Sequence, residues 1–301
     1  IVAFAGPLFS FGLALLFAVV VWKVGRPANK IDTTTIGYVA ESGEAYGKLK
    51  VGDKILEVEG QEVTHWHGGN ALKSVNANVV LSEGETVEFK VLRDGKELEI
   101  STSLVIPEST FLERKKHRQV GISYMDVLIV GETMEHSPAQ LAGLEAGDVL
   151  NRVNGKPIYS AVQLSDALKE GKPFMLGFER NGTPMEVKMA GAKPIGWDDF
   201  KAGIAWNTDP KVNPIVNLAP VHQGPWDQVK DHTAMMWVTI SKVVSPKSDI
   251  NVGQLQGPVG IGTQYFDLLR SEGGWQLVLW FTVLLNVNLA ILNMLPLPVL
   301  D

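Results

Sequence analysis

The stretch of sequence that decides the fold is SPAQLAGLEAGDVLNRVNG, residues 137–155. Gly147-Asp148 predicts a turn within it. Asn154-Gly155 near its end predicts a second turn. Short elements separated by glycine-containing turns indicate a mainly β module.

The same pattern occurs once more, nearer the amino terminus. Residues 51–60 correspond to residues 146–155, and the Gly-Asp pair falls at the same place in both. Arg93-Asp94-Gly95 likewise corresponds to Arg180-Asn181-Gly182, and the Asp or Asn beside Gly supplies the positive φ that a tight hairpin turn requires. The correspondence indicates a duplicated module.

Alternating apolar and polar residues predict a strand on each side of both hairpin turns. The four predicted strands are 87–92, 97–104, 174–179 and 184–189. One short helix is predicted after each Gly-Asp turn, around 69–75 and 161–169. Each module is therefore expected to be mostly β with one small helix at this position.

The duplicated module resembles PDZ domains. In the second copy, Ala142-Gly143-Leu144 precedes Ala146-Gly147-Asp148, as in the family's recurring run from a small helix into a Gly-Asp turn. The first copy has Ser42, Ala45 and Gly47 in the comparable stretch and lacks the Ala-Gly-Leu. The resemblance is therefore clearer in the second copy.

Each copy ends on a Gly-Ile strand, an order that resembles the circularly permuted bacterial form of the domain, with domains at 31–125 and 126–207. In PDZ domains an extended peptide adds a strand to a sheet edge. The alternative is that the modules act as a plug or size filter over a membrane part. The resemblance implies that the peptide grooves are lined by Gly121, Ile122, Gly203 and Ile204.

Both ends of the chain are far more apolar than the middle. No charged residue occurs from Ile1 to Trp22 or from Gly273 to Leu300. Because about 20 apolar residues cross a hydrocarbon core roughly 30 Å thick, residues 1–25 and 273–301 are each predicted to hold a transmembrane helix. The chain opens inside an apolar run and closes just after one, so we expect the natural sequence to continue at both ends.

Residues 208–262 are predicted to form a linker between the second module and the last apolar segment. Within it, residues 226–244 mix apolar and charged side chains and are too polar to span a bilayer. They predict an amphipathic helix in the membrane interface, with packing against the PDZ pair as the alternative. Gly257-Pro258 then precedes the final apolar segment.

The last stretch, NVNLAILNMLPLPVLD at residues 286–301, carries the candidate chemistry. Pro296 and Pro298 forbid a continuous helix, and the backbone groups they release are tolerable at membrane depth only where they line a cavity. A carboxylate such as Asp301 beside an apolar run needs a partner, and a divalent cation is a strong one. The alternative is that the prolines end the helix at the interface and Asp301 lies in water.

This stretch closely resembles the Asn-x-x-Pro-x-Pro-x-Leu-Asp-Gly signature of the site-2 protease family, in particular the bacterial regulator of sigma-E protease type. The resemblance implies that Asp301 is the third ligand of a zinc ion (Zn²⁺) held by two histidines of a His-Glu-x-x-His helix. It also implies substrate contacts for four further residues. These are Asn288, Asn293, Pro296 and Pro298, although the two amides can equally make helix-to-helix hydrogen bonds.

The His-Glu-x-x-His motif does not occur in these 301 residues, and neither does any cysteine. A zinc hydrolase needs three protein ligands and an open position for water, so this chain alone is expected to be inactive. His65 and His67 share a face if they lie on a strand, yet a solvated loop pair is the favoured interpretation.

The sequence therefore predicts a multi-domain membrane protein, with transmembrane α-helices at both ends flanking two mainly β, circularly permuted PDZ-like domains. The net charge of −6 argues against a nucleic-acid partner. The resemblance implies a zinc endopeptidase of the inner membrane that performs regulated intramembrane proteolysis of a single-span substrate, such as an anti-sigma factor. Its PDZ-like domains would lie on the extracytoplasmic side. The alternative is a catalytically inactive, membrane-anchored scaffold that binds peptide tails.

Overall fold

Seven α-helices and fourteen strands lie within the residues that this computed structural model describes, which are 2–27, 30–105, 118–191, 202–209, 211–217, 220–248, 258–271 and 273–294. The helices are α1 (Val2–Val24), α2 (Val75–Leu81), α3 (Pro138–Leu141), α4 (Ala161–Lys169), α5 (Pro225–Val244), α6 (Pro258–Arg270) and α7 (Gly274–Met294). The strands of the first half are β1 (Lys30–Ile31), β2 (Ile36–Val39), β3 (Lys54–Val58), β4 (Gln61–Glu62), β5 (Thr86–Arg93), β6 (Lys96–Ser103) and β7 (Ile122–Tyr124). Those of the second half are β8 (Leu128–Thr133), β9 (Val149–Val153), β10 (Lys156–Pro157), β11 (Phe174–Arg180), β12 (Thr183–Met189), β13 (Ile204–Trp206) and β14 (Val216–Asn217).

The chain divides into two compact units. A helical unit contains α1, α5, α6 and α7, and a β unit within residues 30–217 contains every strand together with α2, α3 and α4. In the helical unit, Ala5–Val24 and Gly274–Met294 are long and apolar enough to cross a membrane. This agrees with the two predicted transmembrane segments, while the bounds of the five predicted segments stay predictions.

Helices α1, α5 and α7 share the core of the helical unit. Small side chains at Ala14 and Ala18 allow α1 to approach its neighbours closely. The other buried members of this core are Val21, Val229, Val283, Val287 and Ile291. Residues 226–244 are thus helical, as predicted, and α5 packs against α1 and α7.

A buried glutamine on α5 donates a hydrogen bond to the backbone of α1. The side chain of Gln228 is 1% exposed, and its Nε2 donates to the Ala18 carbonyl at 3.1 Å and to the Gln223 carbonyl at 2.8 Å. A buried amide without such partners would cost about 1–3 kcal/mol, so these bonds help to fix the position of α5.

The first module of the β unit has a four-stranded sheet and a separate two-stranded ribbon. The sheet order is β4-β3-β5-β6, and β2 pairs with β7 in the ribbon. Its core includes Val87, Phe89 and Val91, which alternate along β5, and Ile55 and Val58 of β3, which lie on either side of a register shift. The predicted strands at 87–92 and 97–104 are confirmed.

The second module has its own core, and its strands form one sheet without a separate ribbon among the described residues. The sheet order is β12-β11-β9-β8-β13, and β10 adds to β9. Its core includes Leu150, Leu164, Phe174, Leu176 and Phe178. The predicted strands at 174–179 and 184–189 and the helix at 161–169 are confirmed, as is the positive φ of Asp94 and Asn181 in the two hairpin turns.

The helix predicted around residues 69–75 is confirmed in part, since a 3-10 helix lies at Ala71–Lys73, whereas the α-helix α2 begins only at Val75. Gly68 and Gly69 have φ angles of 80° and 59°, which a regular α-helix does not contain. Ser74 then caps α2, since its side chain accepts a hydrogen bond from the Ala77 N–H at 3.2 Å. The cap residue, and not the preceding glycines, sets the start of the helix.

The duplication carries a buried ion pair that recurs in both modules. Asp53 is 1% exposed and accepts from Nε and Nη2 of Arg93, both at 2.7 Å. Asp148 is fully buried and accepts from Nε and Nη2 of Arg180 at 2.7 and 2.8 Å. The Gly-Asp turn of each module is thus joined to its Arg-containing hairpin by a bidentate contact.

The two modules meet where β2 crosses close to the segment that joins them. A Cβ on Gly37 would lie 2.5 Å from the Met125 Cα and 2.6 Å from the carbonyl oxygens of Tyr124 and Tyr159. The Met125 N–H also donates to the Thr35 carbonyl at 2.8 Å. The backbones therefore approach so closely that only glycine fits.

Replacing Gly37 with Ala is expected to lower the free energy of unfolding of the β unit by at least about 1–3 kcal/mol, because the backbones around the new methyl group must move apart. Thermal unfolding of the chain in detergent measures the effect. Gly262→Ala in α6 is the matched control, since a Cβ there meets nothing within 4 Å. Equal unfolding temperatures for the two variants would contradict the close approach at Gly37.

Candidate functional site

A cavity of about 590 Å³ lies in the first module, next to the ribbon strand β7. On one side β7 pairs with β2 in the register Val39 to Ile122. Val75 and Val79 of α2 line the cavity together with Ile122 and Ser123 of β7. A PDZ domain binds an extended peptide as an added strand at a sheet edge, and β7 is a strand that borders this cavity.

The second module contributes a helix to the same cavity. Val162 and Asp166, which are four residues apart on α4, are among its lining residues. The Tyr38 hydroxyl donates to Asp166 Oδ2 at 2.7 Å, and Ser160 Oγ donates to Ser123 Oγ at 3.2 Å. Burial, and after it the bond to Asp166, raises the pKa of Tyr38 to about 12. The hydroxyl is therefore a permanent donor at neutral pH.

The predicted groove residues fall at two places. Gly121 and Ile122 line the cavity of the first module. Gly203 and Ile204 lie at β13, where Ile204 pairs with Thr133 and the Gly203 carbonyl accepts from the Met134 N–H at 2.8 Å. The two Gly-Ile pairs thus lie at the start of corresponding strands, β7 and β13. Peptide binding by either pair stays a prediction.

Helix α7 holds the two predicted amides near its carboxyl end. Asn288 is half-buried and Asn293, in the last turn, is exposed. Sequence reasoning missed a polar stripe formed by Thr282, Asn286 and Asn293, whose spacings of four and seven residues place them on one face. Asn286 Nδ2 donates to the Thr282 carbonyl at 2.9 Å. Pro296, Pro298 and Asp301 lie outside the described residues.

Tyr265 of α6 joins the polar stripe, because its hydroxyl lies 3.0 Å from Thr282 Oγ1. Thr282 in turn donates to the Val278 carbonyl at 2.8 Å. Polar groups in an apolar helix need such partners, and the spacing of four and seven is the signal by which the stripe is recognised in the sequence.

The residues that the structure describes contain no cluster of three or more His, Asp or Glu able to hold a metal ion. His67 is exposed, but His65 is only 3% exposed, so the prediction of a solvated histidine pair is wrong for His65. His65 lies between Val63 and Trp66, which are both buried in the core of the first module, and its carbonyl accepts from the Val75 N–H at 3.0 Å. Asp301 is a suitable zinc ligand by its chemistry, yet alone it does not complete a site.

A family model described as peptidase family M50 matches residues 1–301 of this sequence. The chain belongs to peptidase family M50. This confirms the resemblance to site-2 proteases drawn from residues 286–301.

Curated relatives of the M50 chain are proteases. It is 27% identical over 314 residues to protease RseP of Yersinia pestis, and 26% identical over 321 residues to regulator of sigma-E protease RseP of Escherichia coli, each alignment covering 99% of this chain and 67% of the relative. A Pasteurella multocida protein named as a zinc metalloprotease is 28% identical, with 99% and 66% covered. The chain thus spans about two thirds of the length of these relatives.

Among solved structures, the M50 chain is similar to the PDZ domain of an SdrC-like protein from Listeria innocua. The identity is 18% and the TM-score 0.22, over 28% of this chain and 97% of that one.

Proposed function

We propose that this chain belongs to a membrane-embedded zinc endopeptidase that cuts a single-span membrane protein, such as an anti-sigma factor, within the bilayer. The observation that carries the proposal is the family match over the whole chain, which includes the run from Asn286 to Asp301. The two apolar helices α1 and α7 support a membrane location.

Asp301 is proposed as one zinc ligand, and the two histidines would be supplied from outside residues 1–301. When bound, zinc polarises a peptide carbonyl and lowers the pKa of a water molecule. The residues of this chain bind the substrate, hold it extended and provide hydrogen-bond partners for its backbone groups where water is excluded.

A substrate helix must unwind before cleavage, because its amide and carbonyl groups are otherwise hydrogen-bonded within the helix. Asn293 is proposed to receive these groups, since it is exposed at the end of α7 just before Pro296 and Pro298. Asn288 is proposed to support the same segment from the half-buried face. Backbone at Pro296 and Pro298 would offer a strand edge for the unwound substrate.

The two modules of the β unit are proposed to be circularly permuted PDZ domains on the extracytoplasmic side of the inner membrane. The corresponding positions of Gly121-Ile122 and Gly203-Ile204 at β7 and β13 support this assignment. Peptide tails would dock at these grooves before or during cleavage. The cavity beside β7 also supports the second candidate function, a scaffold that captures peptides without cutting them.

Removing zinc from the complete protein is expected to lower turnover of a single-span model substrate by a factor on the order of a thousand, because the metal supplies several kcal/mol of transition-state stabilisation. Turnover is measured in proteoliposomes before and after chelation, and again after zinc is restored. Recovery on addition of zinc supports the endopeptidase. Turnover that is unchanged by chelation contradicts it, and peptide binding without any turnover favours the scaffold.

A further inference from the structure

Helix α4 serves both modules. Leu164 and Leu168 point into the core of the second module, at 1% and 5% exposure. Val162 and Asp166 lie among the lining residues of the first module's cavity. Helix α4 of the second module therefore forms part of the first module's groove, and it places the carboxylate of Asp166 beside that groove.

The cavity carries opposite charges at two places. Arg118 is 8% exposed, and its Nη1 donates to Oγ of Ser82, the residue that follows α2, at 3.4 Å. Away from this contact, Asp166 lies beside Tyr38 and the Ser123–Ser160 contact. Glu41 adds to the negative charge there, because both Glu41 and Asp166 raise the pKa of Tyr38, after the larger effect of burial. The groove thus carries negative charge on the side of Asp166 and Glu41.

Asp166 keeps acceptor capacity for a ligand. Its Oδ2 accepts from Tyr38 and its Oδ1 from Lys169 at 3.2 Å, whereas an ionised carboxylate has about four lone-pair sites. The Lys169 contact is exposed, with side-chain exposures of 63% and 42%, and such pairs contribute little. A cationic ligand group can therefore replace it at small cost.

We propose that Asp166 is a specificity residue of the first module's groove, and that it selects carboxyl-terminal peptides with a Lys or Arg a few residues before the end. The peptide lies along β7 with its carboxyl end toward Gly121, and the cationic side chain reaches Asp166. This inference rests on the proposed peptide binding by the groove. It adds that the second module, through α4, sets the selectivity of the first.

The test uses the whole chain in detergent and fluorescently labelled eight-residue peptides with an apolar last residue. Lys or Glu is placed in turn at each of the three positions before the last, and binding is measured by fluorescence anisotropy. We expect the Lys peptide to bind about two- to fivefold more tightly than the Glu peptide at one position. Asp166→Asn is expected to remove this difference, and Asp166→Lys to reverse it.

Glu170→Gln is the matched control, because it removes the same charge from the exposed residue that ends α4. It is expected to leave the preference for Lys intact, as is the conservative variant Asp166→Glu. A residue that merely joined the two modules would not reverse the preference when its charge is reversed.

Four outcomes would overturn the inference. A preference for Lys that survives Asp166→Asn assigns the selectivity to another group. Equal binding of Lys and Glu peptides shows that the groove has no such selectivity. In both cases peptide binding by the groove still stands. Carboxyl-amidated peptides that bind as well as free acids show that the groove takes an internal strand. Absence of binding by every peptide removes the proposed groove function as well, whereas the cleavage assay tests the endopeptidase separately.

Discussion

Replacing Asp301 with Ala in the complete protein is expected to abolish cleavage of a single-span substrate and to lower the amount of bound zinc. Loss of one of three ligands weakens the metal site, and the metal contributes several kcal/mol to the reaction, so turnover should fall by about a thousandfold or more. Turnover in proteoliposomes and zinc content by elemental analysis measure the two effects together.

Asp267→Ala is the control for this experiment, since Asp267 is an exposed carboxylate on α6. It should retain both zinc and turnover. Normal turnover by the Asp301 variant would rule out its assignment as a ligand. Loss of turnover with full zinc content would instead assign Asp301 a role in holding the substrate.

Replacing Asp148 with Ala is expected to lower the free energy of unfolding of the β unit by about 3 kcal/mol. The carboxylate is fully buried and accepts two hydrogen bonds from Arg180, whose side chain is 25% exposed. Without Asp148, the half-buried guanidinium of Arg180 keeps only its contacts with Glu145 and the Gly143 carbonyl. Thermal and denaturant unfolding of the chain in detergent, followed by fluorescence, measure the change.

Glu145→Gln provides the comparison, because Glu145 is the second partner of the same guanidinium. Its contact with Arg180 Nη1 is 3.0 Å long, but its side chain is 69% exposed, so its loss should cost less than about 1 kcal/mol. Similar effects of the two substitutions would show that burial does not distinguish the two contacts.

The contribution of Asp148 should also depend on pH. Burial alone would raise the pKa of this carboxyl, but the hydrogen bonds from Arg180 and from the Glu145 N–H, together with the charge of Arg180, bring the pKa below its ordinary value of 3.8. A carboxyl with a lowered pKa in the folded state stabilises that state above its unfolded pKa. The difference between wild type and Asp148→Ala should therefore shrink as the pH falls below about 4.

The parts of the fold that depend only on residues close together in the sequence could be predicted from it. Hairpins follow from alternation and from the Asp-Gly and Asn-Gly turns, and the two apolar helices follow from length and composition. The α-helix α2 starts later than the sequence pattern indicated. Gly68 and Gly69 have positive φ angles, and Ser74 caps the helix. The fit of Gly37 against Met125 could not be predicted, since that approach depends on how the finished modules meet.

The same division holds for the candidate site. Residues 286–301 identified the family through local spacing alone, whereas the stripe of Thr282, Asn286 and Asn293 was visible in the spacing and was missed. The contact between Tyr38 and Asp166 joins residues 128 positions apart. No local pattern indicates such a contact, and so a groove shared by two modules emerged only from the folded chain.

The pairing of β1 with β14 joins the first strand of the β unit to its last, with Lys30 opposite Asn217. Within the helical unit, Arg26 pairs with Val221 in the same antiparallel sense. Facing residues in such a pair lie only about 5 Å apart, a gap that a two-residue hairpin closes. The two ends of the β unit therefore lie side by side. We expect that the unit can be deleted, or exchanged between related chains, without changing the distance that the connecting backbone must span.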